Sequence, residues 1–152
     1  MKLCDALTRD RIELNLNSPD RDGAIRELIE MIGRSVRLPD PDALLGLILE
    51  QEAIKTTGVD QHVAIPHARS HEIRGVVAAL GISGEGIDFQ SLDGQPVHII
   101  VLILSSEASM AAYMSVLSRT ARIFDREEIR RQVLGAASPD EVLATIRAQE
   151  PF

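Results

Sequence analysis

One cysteine, Cys4, stands in 152 residues, so no intramolecular disulfide framework can form, and a reducing, cytoplasmic setting is expected. Tryptophan is absent and aromatic residues make up only 3%, which leaves Leu, Ile, Val, Ala and Met to fill the core. No apolar run approaches the ~20 residues of a membrane span, and Met1-Lys2-Leu3-Cys4-Asp5 turns polar too early for a secretory signal. Basic blocks are missing too. With a net charge of −7, the chain has the wrong sign for a phosphate-backbone binder, so nucleic acid is not expected as a partner. There is no internal repeat, low-complexity tract or Gly/Ser linker, and the length suits one domain over residues 1–152 with a core of its own. A G-x-S-x-G elbow is also missing, which removes the simplest serine hydrolase.

What is present reads as helices first, strands in the middle and helices last. Asp20 to Asp22 offer a cap for a helix to about Gly33, with Ala24, Ile25, Leu28, Ile29 and Ile32 on one face. Asp40-Pro41 opens a second helix, to about Ala53. Val76 to Ile82 and Val97 to Leu104 are continuous apolar runs, the pattern of strands buried on both faces. Ser83-Gly84-Glu85-Gly86 and Asp93-Gly94 between them supply turn chemistry. Met110, Tyr113, Met114, Leu117, Ala121 and Phe124 recur at helical spacing. Asp125 to Glu128 reads as a cap for the next helix, and Ser138-Pro139-Asp140-Glu141 as a cap for the last. The expected architecture is α/β: a small mixed sheet sandwiched between helices.

Three of the four histidines lie in "GVDQHVAIPHARSH", residues 58–71. Pro66 fixes its own φ and pushes Ile65 toward extended geometry, so His67 is presented from a stiff strand end or turn. Ala68 leaves space beside the ring. Arg69 adds a permanent cation suited to phosphate or carboxylate. Thr56, Thr57 and Gly58 upstream could bring hydroxyls and backbone donors to the same spot. A neutral imidazole is a nucleophile, and these surroundings suit one that accepts a phosphoryl group. The plainer alternative is a solvated loop histidine.

The stretch "TTGVDQHVAIPHARS", followed by "GEGIDFQSLDGQPVHIIVLIL" and a helix, resembles enzyme IIA of the phosphoenolpyruvate-dependent phosphotransferase system. The subtype is the fructose–mannitol class (type 2), which includes the nitrogen-regulatory IIA proteins. The resemblance implies a mixed sheet flanked by helices and no cofactor. It also implies transfer of a phosphoryl group from a phosphohistidine of HPr, or its nitrogen-branch counterpart, to the tele nitrogen of His67. Thr57, Arg69 and Tyr113 fall where supporting residues are expected. Three positions depart from the family pattern. Gln51-Glu52 stands where relatives usually carry Arg-Glu, His62 where they carry Gly, and Tyr113 where a second active-site histidine is common. The chain ends at Phe152 with no linker toward a IIB or IIC domain. A standalone IIA of this kind points to regulation; the alternative is a sugar-transport IIA passing phosphate to a IIB protein.

A metal site is the main rival chemistry, with His62, His67 and His71 spaced five and four residues apart and Asp60 or Glu72 as added carboxylates. Structural zinc favours cysteine-containing sets, and catalytic spacing of this kind belongs on a helix, which Pro66 forbids, so no metal is expected. His71 is expected to be exposed and His98 structural. Asp88 and Asp93 read as turn residues, and Cys4 as a small apolar filler.

Overall fold

The strand Val97–Ser105 (β5) carries seven consecutive fully buried residues, and its period of two sends them to opposite faces. Ile99, Val101 and Ile103 enter one core with Phe124, Val116, Val133 and Ile146, whereas Ile100, Leu102 and Leu104 enter another with Ile25, Leu28, Ile32 and Ile48. A strand with two apolar faces must be covered on both sides, and here helices do so. The computed structural model describes residues 1–58 and 61–151; Val59, Asp60 and Phe152, the second of them named above as a carboxylate for a metal, lie outside the described residues.

The chain begins with a four-residue helix α1 (Leu3–Ala6) and strand β1 (Leu7–Glu13), and then α2 (Arg21–Gly33) and α3 (Pro41–Ile54). Strands β2 (Val63–Ala64), β3 (His67–Arg69) and β4 (Val76–Ile87) precede β5, and α4 (Met110–Phe124), α5 (Glu127–Leu134) and α6 (Pro139–Ala148) close the chain. The sheet order is β1-β4-β5-β2, with β3 also on β5. Among the described strands β4–β5 is the antiparallel pair and the others are parallel, so the sheet is mixed, as expected. Helices α2 and α3 cover one face, and α1, α4, α5 and α6 cover the other.

The helix starts follow their caps. Asp20 accepts from the Gly23 amide, Asp40 from Ala43 with Pro41 at the first turn, and Ser138 from Glu141. Three expectations need correction. A strand precedes the two helices expected to open the fold: β1 is an edge strand whose Thr8, Arg9 and Asp10 are exposed, so it lacks an apolar signature. Ser83–Gly86 does not reverse the chain but lies inside β4, at a register irregularity between Ile82 and Ile87. Asp125 ends α4 rather than capping α5, whose N-cap Arg126 makes no side-chain cap bond. Glu127 and Glu128 in the first turn of α5 instead meet its positive dipole end.

Two buried charges tie the elements together. The Arg11 guanidinium donates to the carbonyls of Ala78 (3.0 Å) and Ala6 (2.9 Å), joining β1 to β4 and to α1. The Glu150 carboxylate accepts from the amides of Leu3 and Cys4, both at 3.0 Å, and pins the first helix to the end of the chain. Burial, together with the nearby Glu150 charge, pushes the Cys4 thiol up, so the thiol stays protonated. Truncating the shared core is expected to be costly: Leu102→Ala, at a fully buried position, should cost about 2–5 kcal/mol in denaturant melts. A loss below ~1 kcal/mol would mean that β5 is less tightly enclosed than its two cores indicate.

Candidate functional site: the His67 cleft

The strand beside β5 is broken in two by Ile65-Pro66. Val63 and Ala64 pair with Ile99 and Ile100, and His67 to Arg69 pair with Ile103 to Ser105. Proline has no amide hydrogen to give the ladder, so the chain steps out at this point while the Pro66 carbonyl still accepts from Ile103 at 3.0 Å. The step leaves His67 half-buried at the start of β3.

The His67 ring is anchored by its own segment. Its Nδ1 lies 2.6 Å from the Ile65 carbonyl, which can only accept, so Nδ1 carries the hydrogen and Nε2 keeps its lone pair. Ala68 behind it is buried, with no bulk to crowd the ring. The cleft in front has a volume of 610 Å³ and is lined by Leu47 and Gln51 of α3, Arg69 of β3, Glu107, and Met110, Tyr113 and Met114 of α4. The Tyr113 ring centre lies 6.0 Å from that of His67, the planes tilted by 59°. Arg69 is exposed, and its guanidinium reaches the Met110 sulfur at 3.9 Å.

Arg69 and Tyr113 thus share the cleft with His67. Thr57 does not line it. Its amide and hydroxyl both donate to the buried Glu52 carboxylate, and it lines a separate 380 Å³ hollow with Val63, Ile65 and Phe124. The Thr56 hydroxyl donates to the Phe89 carbonyl at 2.7 Å and accepts from the Gly58 amide at 3.1 Å. These donors brace the loop. Gly58 itself has no room for a side chain, since a Cβ there would lie 2.5 Å from the Ser91 hydroxyl. Glu107, which no sequence pattern singled out, is the one carboxylate among the described residues lining the His67 cleft, and it faces the same space as Arg69. It sits in a short connection before α4 with no periodicity to mark it.

The departures from the expected pattern have distinct physical consequences. Gln51 lines the cleft, so a neutral amide stands where the resemblance implied a cation. His62 has φ +67°, a left-handed conformation that glycine adopts freely, and its Nδ1–H donates to the Pro96 carbonyl at 2.8 Å. Tyr113 is almost wholly buried, and burial pushes its phenol above the usual 10.0, an effect the Arg69 charge partly offsets. Tyr113 is the chain's only tyrosine and no tryptophan interferes, so phenolate absorbance reports it alone. Its midpoint is expected above 10.0, and higher still in Arg69→Ala, which removes the offsetting charge. Because the folded state favours the neutral phenol, this stabilisation is complete below the unfolded value and fades as pH rises through the folded one. Tyr113→Phe should flatten that alkaline decline; a midpoint at or below 10.0 would contradict the burial.

The other histidines stand apart from the cleft. His71 is exposed beside Arg37 and Arg74 around a different hollow, where Glu72 accepts from the Asp40 amide at 2.9 Å. The Nδ1–H of His98 donates to the Ser83 carbonyl at 2.8 Å. Asp88 and Asp93 accept from the amides of Gln90 and Gln95, as turn residues do. Among the described residues no three His, Cys, Asp or Glu side chains converge, and no helix is long and apolar enough to cross a membrane.

Residues 5–149 match the family model described as phosphoenolpyruvate-dependent sugar phosphotransferase system, EIIA 2. The chain is 34% identical over 99% of its length to the fructose-specific EIIABC component of Bacillus subtilis, of which it spans 24%. It is 33% identical to the fructose-specific EIIA component of Haloferax volcanii, covering 93% of this chain and 94% of that one. The crystal structure of nitrogen regulatory protein IIA-Ntr from Neisseria meningitidis superimposes with a TM-score of 0.88 at 26% identity, over 95% of this chain and 98% of the other.

Proposed function

This chain belongs to the EIIA 2 family of the phosphoenolpyruvate-dependent sugar phosphotransferase system, a family of phosphotransfer proteins, and on that premise we propose that Nε2 of His67 is its phosphoryl acceptor. The observation that carries the reading is the Nδ1 hydrogen bond to Ile65, which leaves the lone pair of Nε2 on the ring's other edge. In the transfer, that pair forms a new N–P bond as the N–P bond of the donor phosphohistidine breaks and its electrons return to the donor ring. In-line transfer needs a positioned nucleophile and charge complementarity to the phosphoryl oxygens. The short bond to Ile65 supplies the first, and Arg69 the second. Tyr113 stands by as a neutral hydrogen-bond donor, and Thr57 acts through the loop that ends in Ile65.

The donor is an HPr-like phosphocarrier, and the setting is cytoplasmic. A regulatory role is supported by the resemblance to IIA-Ntr and by a cleft that holds Gln51 and Tyr113 where the family resemblance implies an arginine and a second histidine. The second reading, a sugar-transport IIA that passes phosphate to a IIB protein, is favoured by the 34% and 33% identities to fructose-specific components. Incubation with phosphoenolpyruvate, enzyme I and an HPr-type donor is expected to leave one acid-labile phosphate per chain; no uptake overturns the proposal. Adding fructose-type IIB protein to the labelled chain separates the roles: retained label supports regulation, and rapid loss to IIB supports transport.

A further inference from the structure

The left-handed corner at Gln61-His62 lays one imidazole against another. Here the rings of His62 and His98 have centres 5.5 Å apart and planes tilted by 57°. Each ring is held from the same side of its chemistry. The Nδ1–H of His62 donates to the Pro96 carbonyl and that of His98 to the Ser83 carbonyl, both at 2.8 Å. Both Nε2 atoms therefore keep their lone pairs. A backbone carbonyl on the outer nitrogen is the support that orients a metal-bound histidine and raises its basicity.

We propose that His62 and His98 form a two-imidazole site for a divalent ion of the zinc class. Two imidazoles sharing one tetrahedral zinc through Nε2, at about 2.0–2.1 Å each, have ring centres roughly 5 Å apart, close to the spacing found. Gly86, at φ +87° and with Pro96 Cβ 2.8 Å from where a Cβ of its own would lie, packs against the Nε2 edge of His98 without a side chain. A Cβ there would lie 3.0 Å from Cε1 and 3.3 Å from Nε2 of His98, filling the space beside the coordinating edge. His62 is exposed and His98 half-buried, so an ion can enter from solvent. Among the described residues no third His, Cys, Asp or Glu joins them.

This pair differs from the spacing-based set His62, His67 and His71, and it lies away from the phosphoryl cleft. His98 and Ile103, the partner of His67, are five residues apart on β5, about 16 Å along the strand. The bound ion would fasten the corner that leads into β2 to the start of β5.

Zinc chloride titrated calorimetrically into chelator-treated protein tests the proposal, with ring-proton spectra recorded alongside. One equivalent is expected to bind, shifting the His62 and His98 ring signals. His62→Ala and His98→Gln should each lower affinity on the order of tenfold or more with the circular dichroism unchanged, whereas His71→Ala should leave it as it was. No binding, or binding that survives both substitutions at full affinity, overturns the site. Should His98→Gln fail to fold, His62→Ala, on an exposed ring, still decides.

Discussion

His67→Ala is expected to take up no phosphoryl group from an HPr-type donor while folding like the parent. The loss should be complete rather than partial, because among the described residues no second side chain lining the cleft forms a lasting phosphoryl adduct. Gln51 is an amide, Arg69 carries no lone pair for attack, Glu107 would yield only a labile acyl phosphate, and Tyr113 is held neutral by burial. The side chain is half-buried at a strand start, so its truncation should cost little stability by comparison with a core position such as Leu102. Melting and circular dichroism separate lost chemistry from lost structure. Label that persists on a folded His67→Ala protein would place the acceptor elsewhere.

Arg69→Ala should slow phosphoryl uptake by about ten- to a hundredfold. A charge-assisted contact to phosphate is worth about 1.5–3 kcal/mol, and Arg69 is the one cation among the residues lining the cleft. Relatives with an arginine and a histidine at the positions of Gln51 and Tyr113 would share that load; here it falls on one guanidinium. In the resting fold Arg69 is exposed, and among the described residues its side-chain hydrogen bond goes to the Met110 sulfur, so the melting temperature should barely move. Arg69→Lys keeps the charge but not the fork, and should recover part of the rate. Uptake equal to the parent in Arg69→Ala would mean that the phosphoryl group is stabilised from the partner's side. The companion change, Tyr113→His, adds a group able to become cationic beside His67 and should lengthen the lifetime of the phosphohistidine, whereas Tyr113→Phe isolates the hydroxyl.

Much of this could be read from the residues because the signals were local. Asp20, Asp40 and Ser138 announce their helices by the chemistry of a cap, and the apolar runs of β4 and β5 announce a sheet covered on both faces. Ile65-Pro66-His67 works through one proline and the carbonyl two residues before the ring. Signals failed where tertiary pairing decides. β1 is polar because it is an edge, and it owes its place to Arg11 reaching Ala78 and Ala6. Helical spacing grouped Met110 and Met114 with Tyr113, but α4 buries Tyr113, Val116, Thr120 and Ile123, and turns both methionines toward the cleft. Thr57 stood close to His67 in sequence, yet Glu52 holds it. The His62–His98 contact joins residues whose meeting depends on strand register, which composition and spacing do not contain.

Phosphoryl acceptance turns on one nitrogen. Phosphorus and nitrogen NMR of the phosphorylated chain, with labelled histidine, distinguishes phosphate on Nε2 from phosphate on Nδ1 and assigns the residue. With Nδ1 of His67 tied to the Ile65 carbonyl, the phosphoryl group is expected on Nε2 of His67 alone. A phosphoryl group on Nδ1 of His67, or on any of the other histidines, would contradict it.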